Sequence, residues 1–262
     1  MSKLKSVDIC VLYPDLLGTY GDGGNAIVLA RRLEWRGIKA NVVPVNMGED
    51  VPDSCDIYLL GGGEDQPQTA VTDHLLASRA LHRAVDKGAV VLAVCAGMQV
   101  LGETFAIAGD RMRDGLGLLD VRTVRGEGAR RVGEITVQPS SRIGVHPLTG
   151  YENHGGVTKL GKDVEPLGTV ITGKGNDDGL GSEGAVWGKV VGSYLHGPML
   201  ARNPHFADKL LEWVTGAPMA SLEDAEIDDL RAERFAAARR PTDSGFWHSA
   251  KSILRSVRSS GS

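Results

Sequence analysis

Apolar residues along this chain gather into short runs separated by glycine-rich breaks. Val7–Tyr13 (VDICVLY) is the first, β-branched and ended by Pro14, as a buried strand would be. A loop Gly18-Thr-Tyr-Gly-Asp-Gly-Gly follows; Asn25 can then cap a helix reaching roughly Arg36, which Gly37 closes. Lys39–Pro44 predicts a second strand and Asp56–Leu60 a third, running into Gly61-Gly62-Gly63. Leu75, Leu76, Ala80, Leu81 and Ala84 share one face of a helix predicted over Thr72–Lys87, with Gly88 after its last turn. Ala89–Val94 (AVVLAV) is apolar throughout, the pattern of a central strand buried on both faces. Cys95-Ala-Gly-Met-Gln-Val-Leu-Gly then turns directly into a helix. Strands alternating with helices in this way predict an α/β fold with a mostly parallel sheet.

Beyond about Leu116 the runs shorten. Leu118–Val124, Gly133–Val137 and Val186–Tyr194 read as strands, and Pro204–Thr215 as a helix. From about Ala225 an Ala/Arg/Glu-rich pattern predicts more helix, ending in a polar SVRSSGS tail expected to fray. No internal repeat or linker breaks the chain. The simplest organisation is one main domain over 1–217, followed by a C-terminal helical extension and polar tail over 218–262.

Composition narrows the class. A chain of 262 residues buries roughly 70–75% of its unfolded surface, so neither disulfides nor a structural metal is needed. A net charge of -4 gives no reason to expect nucleic acid as the main partner. Cys10, Cys55 and Cys95 are an odd count with no CxxC pair, which argues against a disulfide framework and a zinc site. The opening MSKLKSVDICVLYPD is too short in its apolar part for a signal segment, and no apolar run approaches ~18–20 residues. A soluble cytoplasmic protein with reduced thiols is expected.

Candidate chemistry centres on Cys95. A cysteine straight after a buried strand, followed by small residues at 96 and 97, has the shape of a nucleophile elbow. The helix starting there points its positive end at the sulfur, a polarity that favours a thiolate. The Ala96 amide would face a developing oxyanion, with a second donor from Gly61, Gly62 or Gly63, where only glycine lets the backbone turn its amides inward. A free cysteine is also among the most buried residue types, and Cys10 and Cys55 are assigned to that role. The nucleophile needs a base. His74 and His82 fall on a predicted helix, His146 precedes proline in a loop, and His205 and His248 sit in C-terminal helical stretches. His154, in Tyr-Glu-Asn-His-Gly-Gly, and His196, ending an apolar run before Gly-Pro, are the two candidates left by position.

Together these residues resemble the class I glutamine amidotransferases, and within them the cobyric-acid-synthase-like branch. The likeness rests on Gly61-Gly62-Gly63, Cys95-Ala-Gly-Met-Gln, Tyr151-Glu-Asn-His154 and Ser193-Tyr-Leu-His196-Gly, and covers about residues 7–215. Asn153, the opening Tyr13-Pro-Asp…Tyr20-Gly-Asp-Gly-Gly-Asn25 and Gly62-Gly-Glu-Asp-Gln resemble the glutaminase subunits of lipid II isoglutaminyl synthases. The resemblance implies a flavodoxin-like three-layer sandwich with a mostly parallel central sheet. It implies that Cys95 attacks glutamine, that Gly61, Gly62, Gly63 and Ala96 hold the oxyanion, and that His196 is the acid and base. It further implies a substrate-binding arginine before a Gly-acidic-Ile strand, Arg130 or Arg131, and a substrate contact from Gln99. The partner implied is a MurT-like Mur ligase subunit in a heterodimer at the inner membrane surface, carrying the ATP and magnesium; no cofactor is expected in this chain. The Gly21-Asp-Gly-Gly-Asn loop lacks the lysine and hydroxyl of a nucleotide-binding loop, in line with that division.

One departure matters. Many class I members carry glutamate two residues after the histidine, where this chain has Pro198. The missing carboxylate could come from Glu152, Asp22 or a partner, and the expectation taken forward is that the partner completes the site. The C-terminal arginines and lysine (Arg231, Arg234, Arg239, Arg240, Lys251, Arg255, Arg258) read as a solvated helix face, or as contacts with an acidic partner or anionic membrane surface. Rival readings are a cobyric- or cobyrinic-acid-type amidotransferase subunit and a catalytically idle binding module on the same fold.

Overall fold

Strands apolar on both faces form the centre of the computed structural model, which describes residues 6–18, 21–109, 111–144 and 146–238. The first half runs β1 (Ser6–Leu12), α1 (Gly24–Glu34), β2 (Lys39–Val45), β3 (Ile57–Leu60), α2 (Asp65–Ser78), α3 (Ala80–Asp86), β4 (Val90–Val94) and α4 (Ala96–Leu101). Then come β5 (Thr104–Ile107), β6 (Arg111–Asp114), β7 (Val121–Arg125), β8 (Arg131–Pro139), β9 (Leu148–His154), β10 (Gly156–Leu160), β11 (Gly168–Thr172) and β12 (Ser182–Glu183). The chain closes with β13 (Ala185–Trp187), β14 (Val190–Ser193), α5 (Met199–Arg202), α6 (Pro204–Thr215) and α7 (Ala225–Ala238).

The central sheet has the order β13-β14-β4-β3-β1-β2, parallel except for the β13–β14 hairpin. Its alternating side chains divide the core in two. Ile9, Ile57, Leu59 and Leu92 pack with Leu29 and Leu33 of α1, Leu200 of α5 and Phe206 and Leu210 of α6. Cys10, Tyr58, Leu60 and Val91 pack on the opposite side with Leu75 of α2, Leu81 of α3 and Met98 and Leu101 of α4. The expected three-layer sandwich with a mostly parallel centre is therefore present. Burial pushes the Cys10 and Cys55 thiols up, as suits core residues.

Several boundaries differ from the reading of the chain. The single helix expected over 72–87 is two, because Arg79 adopts a left-handed conformation (φ 50°) and redirects the backbone between α2 and α3. Side-chain periodicity runs through that break, so the pattern hides it. Asn25 does not cap α1, which opens at Gly24; its Oδ1 accepts the Leu200 amide at 2.9 Å instead. The run 186–194 folds back on itself at Gly188, φ 54°. The later strands form two further four-stranded sheets, β10-β7-β5-β6 and β12-β11-β8-β9, that the sequence did not announce.

The extension beyond 217 is tied to the main body by charge. Arg32, only 2% exposed, donates to both Asp208 oxygens at 2.7 Å and to both Asp224 oxygens at 2.7–2.8 Å. Arg231 of α7 is buried too, bonded to Asp228 and to the Pro147 carbonyl, so it does not lie on a solvated face. Thr19, Tyr20 and residues 239–262, with His248, Arg239, Arg240, Lys251, Arg255, Arg258 and the polar tail, lie outside the described residues. Among the described residues no helix is long and apolar enough to cross a membrane.

Arg32→Ala leaves two carboxylates without their shared cation in a buried setting and is expected to cost about 3–5 kcal/mol. Arg31→Ala, which removes an exposed pair with Glu34, is expected to cost under about 1 kcal/mol. Urea unfolding of the two variants side by side checks this; equal losses would contradict the assigned role of the cluster.

Candidate active site

Cys95 stands between β4 and α4 with φ 53° and ψ -109°, a left-handed strain of about 1–3 kcal/mol for a side chain with a Cβ. Its amide donates to the Ser193 carbonyl at 2.8 Å, which anchors the turn to β14. Gly97 makes the turn possible: a Cβ there would lie 2.9 Å from the Leu60 oxygen and 3.1 Å from the Gly61 oxygen. Ala96 is the first residue of α4, so its amide has no acceptor within the helix. The Cys95 Sγ lies 4.0 Å from the Asn153 carbonyl oxygen.

His196 follows β14, and its main chain is held by paired bonds with Tyr151, 2.8 Å and 3.1 Å. Its Nδ1 lies 3.2 Å from each carboxylate oxygen of Asp22. Both residues are buried, with side chains 3% and 1% exposed. Burial disfavours the imidazolium, but hydrogen bonds to Asp22 and Cys95 and the charges of both outweigh it, raising His196 to about 9. Asp22 also accepts the Gly62 amide through Oδ2 at 2.8 Å.

This corrects the expectation that a partner completes the site: the carboxylate comes from the loop before α1. Pro198 is part of the reason. A Cβ at Gly24 would stand 2.4 Å from Pro198 Cγ, so the proline packs directly on the entry of α1 and holds the Asp22 loop beside His196. Glu152, the other in-chain candidate, is turned away and accepts the Lys174 and Gly175 amides at 2.9–3.1 Å.

The glycine loop divides its work. Gly62 spends its amide on Asp22 and does not offer it to the cleft. Gly61 packs against the Leu17 carbonyl, which a Cβ would approach to 2.2 Å. Only Gly63 of the three lines the cleft with Cys95 and Ala96.

That cleft holds about 290 Å³. Arg130 lines it, gripping Asn153 by Nε to Oδ1 and by its NH2 to the carbonyl, both at 3.1 Å. Arg131 does not share it; this side chain is paired with Asp177 in the loop between β11 and β12. Gln99 faces the cleft rather than solvent and bonds both Gln68 and Tyr194. His154 lies on the Tyr194 ring at 3.7 Å with Nδ1 on the Gly156 carbonyl at 3.0 Å, and has no contact with Asp22. Among the other histidines, His74 bonds the Tyr13 hydroxyl, His82 bonds the Leu116 carbonyl, and His146 and His205 stack at 3.9 Å. Gln68 and Arg125 line the cleft without having been singled out, for neither sits in a pattern that marks it.

Residues 8–204 match the family described as the CobB/CobQ-like glutamine amidotransferase domain. The lipid II isoglutaminyl synthase (glutamine-hydrolyzing) subunit GatD of Staphylococcus aureus is 37% identical over 217 residues, 82% of this chain and 87% of that one. The GatD subunit of Streptococcus pneumoniae is 35% identical over 207 residues, 78% and 79% of the two chains. A solved glutamine amidotransferase superposes with a TM-score of 0.54 at 21% identity, over 79% of this chain and 98% of its own, a likeness of fold.

A buried carboxyl behind the His196 strand adds a pH dependence. Glu183 accepts the Ser193 hydroxyl at 2.7 Å and the Tyr194 amide at 2.9 Å. Burial pushes it up to about 7 against the pull of these bonds. The folded state therefore holds this proton more tightly than the unfolded chain, and the resulting stability is lost as pH rises from about 4.5 through about 7. Glu183→Gln, which keeps an acceptor for both donors, should be more stable than the parent at pH 8 by on the order of 2–3 kcal/mol, and equal to it near pH 4. Urea titrations at the two pH values test this, and an unchanged difference between them would rule it out.

Proposed function

The chain belongs to the CobB/CobQ-like glutamine amidotransferase family, and from that premise we propose that it is the glutaminase subunit of a lipid II isoglutaminyl synthase. It hydrolyses L-glutamine to glutamate through a Cys95 thioester and hands the ammonia to a MurT-like Mur ligase subunit. That partner uses ATP and magnesium to amidate the D-glutamate of the lipid II stem peptide. The observation that carries the chemistry is the strained Cys95 beside a buried His196 charged through Asp22. The choice of acceptor is supported by the likeness to two GatD subunits over about four-fifths of each chain. An idle module has no use for a cysteine held in left-handed strain over a histidine–carboxylate pair.

In this reading the Cys95 thiolate adds to the side-chain carbonyl carbon of glutamine, and the oxyanion is received by the Ala96 and Gly63 amides. His196 gives its proton to the nitrogen, the C–N bond breaks, and ammonia leaves a thioester on Cys95. His196, now neutral, takes a proton from water; the hydroxide displaces Cys95 and glutamate departs. Asp22 holds Nδ1 protonated so that Nε2 faces the sulfur. Arg130 receives the substrate carboxylate and Gln99 contacts the substrate beside it.

Cys95→Ser should abolish glutamine-dependent lipid II amidation by the co-expressed subunits while leaving ammonium-dependent amidation intact; glutamine-dependent product from the variant would sink the nucleophile assignment. Asp22→Asn should lower kcat by about a hundred- to ten-thousandfold. In the parent, kcat/KM should fall as pH rises through about 9, where His196 loses its proton. Asp22→Asn should move that basic limb to lower pH, and a limb that stays in place would show that Asp22 does not charge the histidine.

A further inference from the structure

The hydrogen bonds around Gln99 have a direction, and Gln68 sets it. Gln68 is 2% exposed, and its Nε2 lies 3.4 Å from the Ala96 carbonyl oxygen. A carbonyl only accepts, so the group facing it is the Gln68 NH2. The same nitrogen donates to Gln99 Oε1 at 3.0 Å. With its oxygen so committed, Gln99 turns its NH2 to the Tyr194 hydroxyl at 3.1 Å. The Tyr194 hydroxyl shares a hydrogen bond with Thr158 at 2.7 Å, and Thr158 one with Thr123 at 2.8 Å. The direction is thus fixed from Gln68 through Gln99 to Tyr194, and the network continues into β10 and β7.

An amide NH2 carries two hydrogens. Tyr194 takes one. The other is left for the cleft, where Gln99 stands beside Cys95 and Ala96. Gly156 keeps that side open, since a Cβ there would lie 3.1 Å from Gln99 Nε2. The geometry points to Gln68 as a positioning residue for glutamine binding: it locks Gln99 with an N–H, rather than its carbonyl, toward an oxygen of the substrate. Reversal of Gln99 would set an acceptor against that oxygen and repel it. This rests on the glutaminase reading above.

The test is equilibrium binding of L-glutamine to the full chain carrying Cys95→Ser, which binds without turnover. Gln68→Glu replaces the donor with an acceptor, so Gln99 reverses; L-glutamine should bind about tenfold more weakly. Gln68→Met keeps the length without a donor and should weaken binding less. In a Gln99→Glu background, where the cleft-facing N–H is already gone, Gln68→Met should change Kd by less than about twofold. With Cys95 intact, Gln68→Met should raise KM while kcat stays within about twofold of the parent, a split that general loosening of the site would not give. If Gln68→Glu does not fold, the Gln68→Met measurements decide alone. Binding undiminished in the Gln68 variants, or an equal loss in both Gln99 backgrounds, would overturn the positioning role and leave the glutaminase reading standing. A Cys95→Ser chain that binds no L-glutamine would overturn both.

Discussion

The buried carboxylate of Asp22 ties together three segments that are far apart in sequence. It accepts the amide of Gly62 after β3 and faces the imidazole of His196 after β14, while belonging itself to the loop between β1 and α1. A carboxylate so deeply buried is tolerated only where charge and hydrogen bonds replace the water it has lost. Both replacements here are groups of the site. The charge that holds His196 protonated is therefore also the charge that fixes the loops at the carboxyl edge of the sheet, where ligands bind in open α/β folds.

Close approach makes this arrangement possible. Gly97 lies against the Leu60 and Gly61 carbonyls, Gly61 against Leu17, and Gly24 against Pro198. Each contact leaves no room for a side chain, so the loops after β1, β3 and β4 and the turn after His196 form one packed layer. Pro198, two residues after His196, brings no carboxylate to the site. By packing on Gly24 it steadies the loop that delivers one, from Asp22.

Much of this was legible from residue order. The β4–Cys95–α4 turn showed itself as an apolar run meeting Cys-Ala-Gly, and α6 was read with both ends in place, because Pro at its start and Gly past its end punctuate it. What escaped has a common physical cause. The break at Arg79 is carried by a residue with no sign of left-handed backbone, and the β13–β14 reversal lies inside a run of uniform apolarity. Asp22 could be named as a candidate but not chosen, for its partnership with His196 spans 174 residues and depends on packing by Pro198. Gln68 had no signal at all; one polar residue near the start of a helix reads as solvated until the elbow helix is laid across it.

The division between sheets explains why recognition was harder to read than chemistry. Cys95, His196 and Asp22 sit on loops at the edge of the parallel sheet, whose strands are short, apolar and easily found. Asn153, His154 and Thr123 come from the two further sheets, where strands are more polar and their pairing is non-local, and Arg130 is the residue before β8. The two systems share an apolar boundary, where Ile135, Val137 and Leu148 pack with Leu195 and Leu200, and beside the sulfur they meet at the Tyr151–His196 bridge, the Asn153 carbonyl and the hydroxyl of Tyr194. Tyr194 belongs to both, since it precedes His196 by two residues and packs under His154. A ring held by stacking on one side and by Gln99 and Thr158 at its hydroxyl can shift little. Tyr194 is therefore one rigid contact through which the two further sheets fix the wall of the cleft relative to the sulfur.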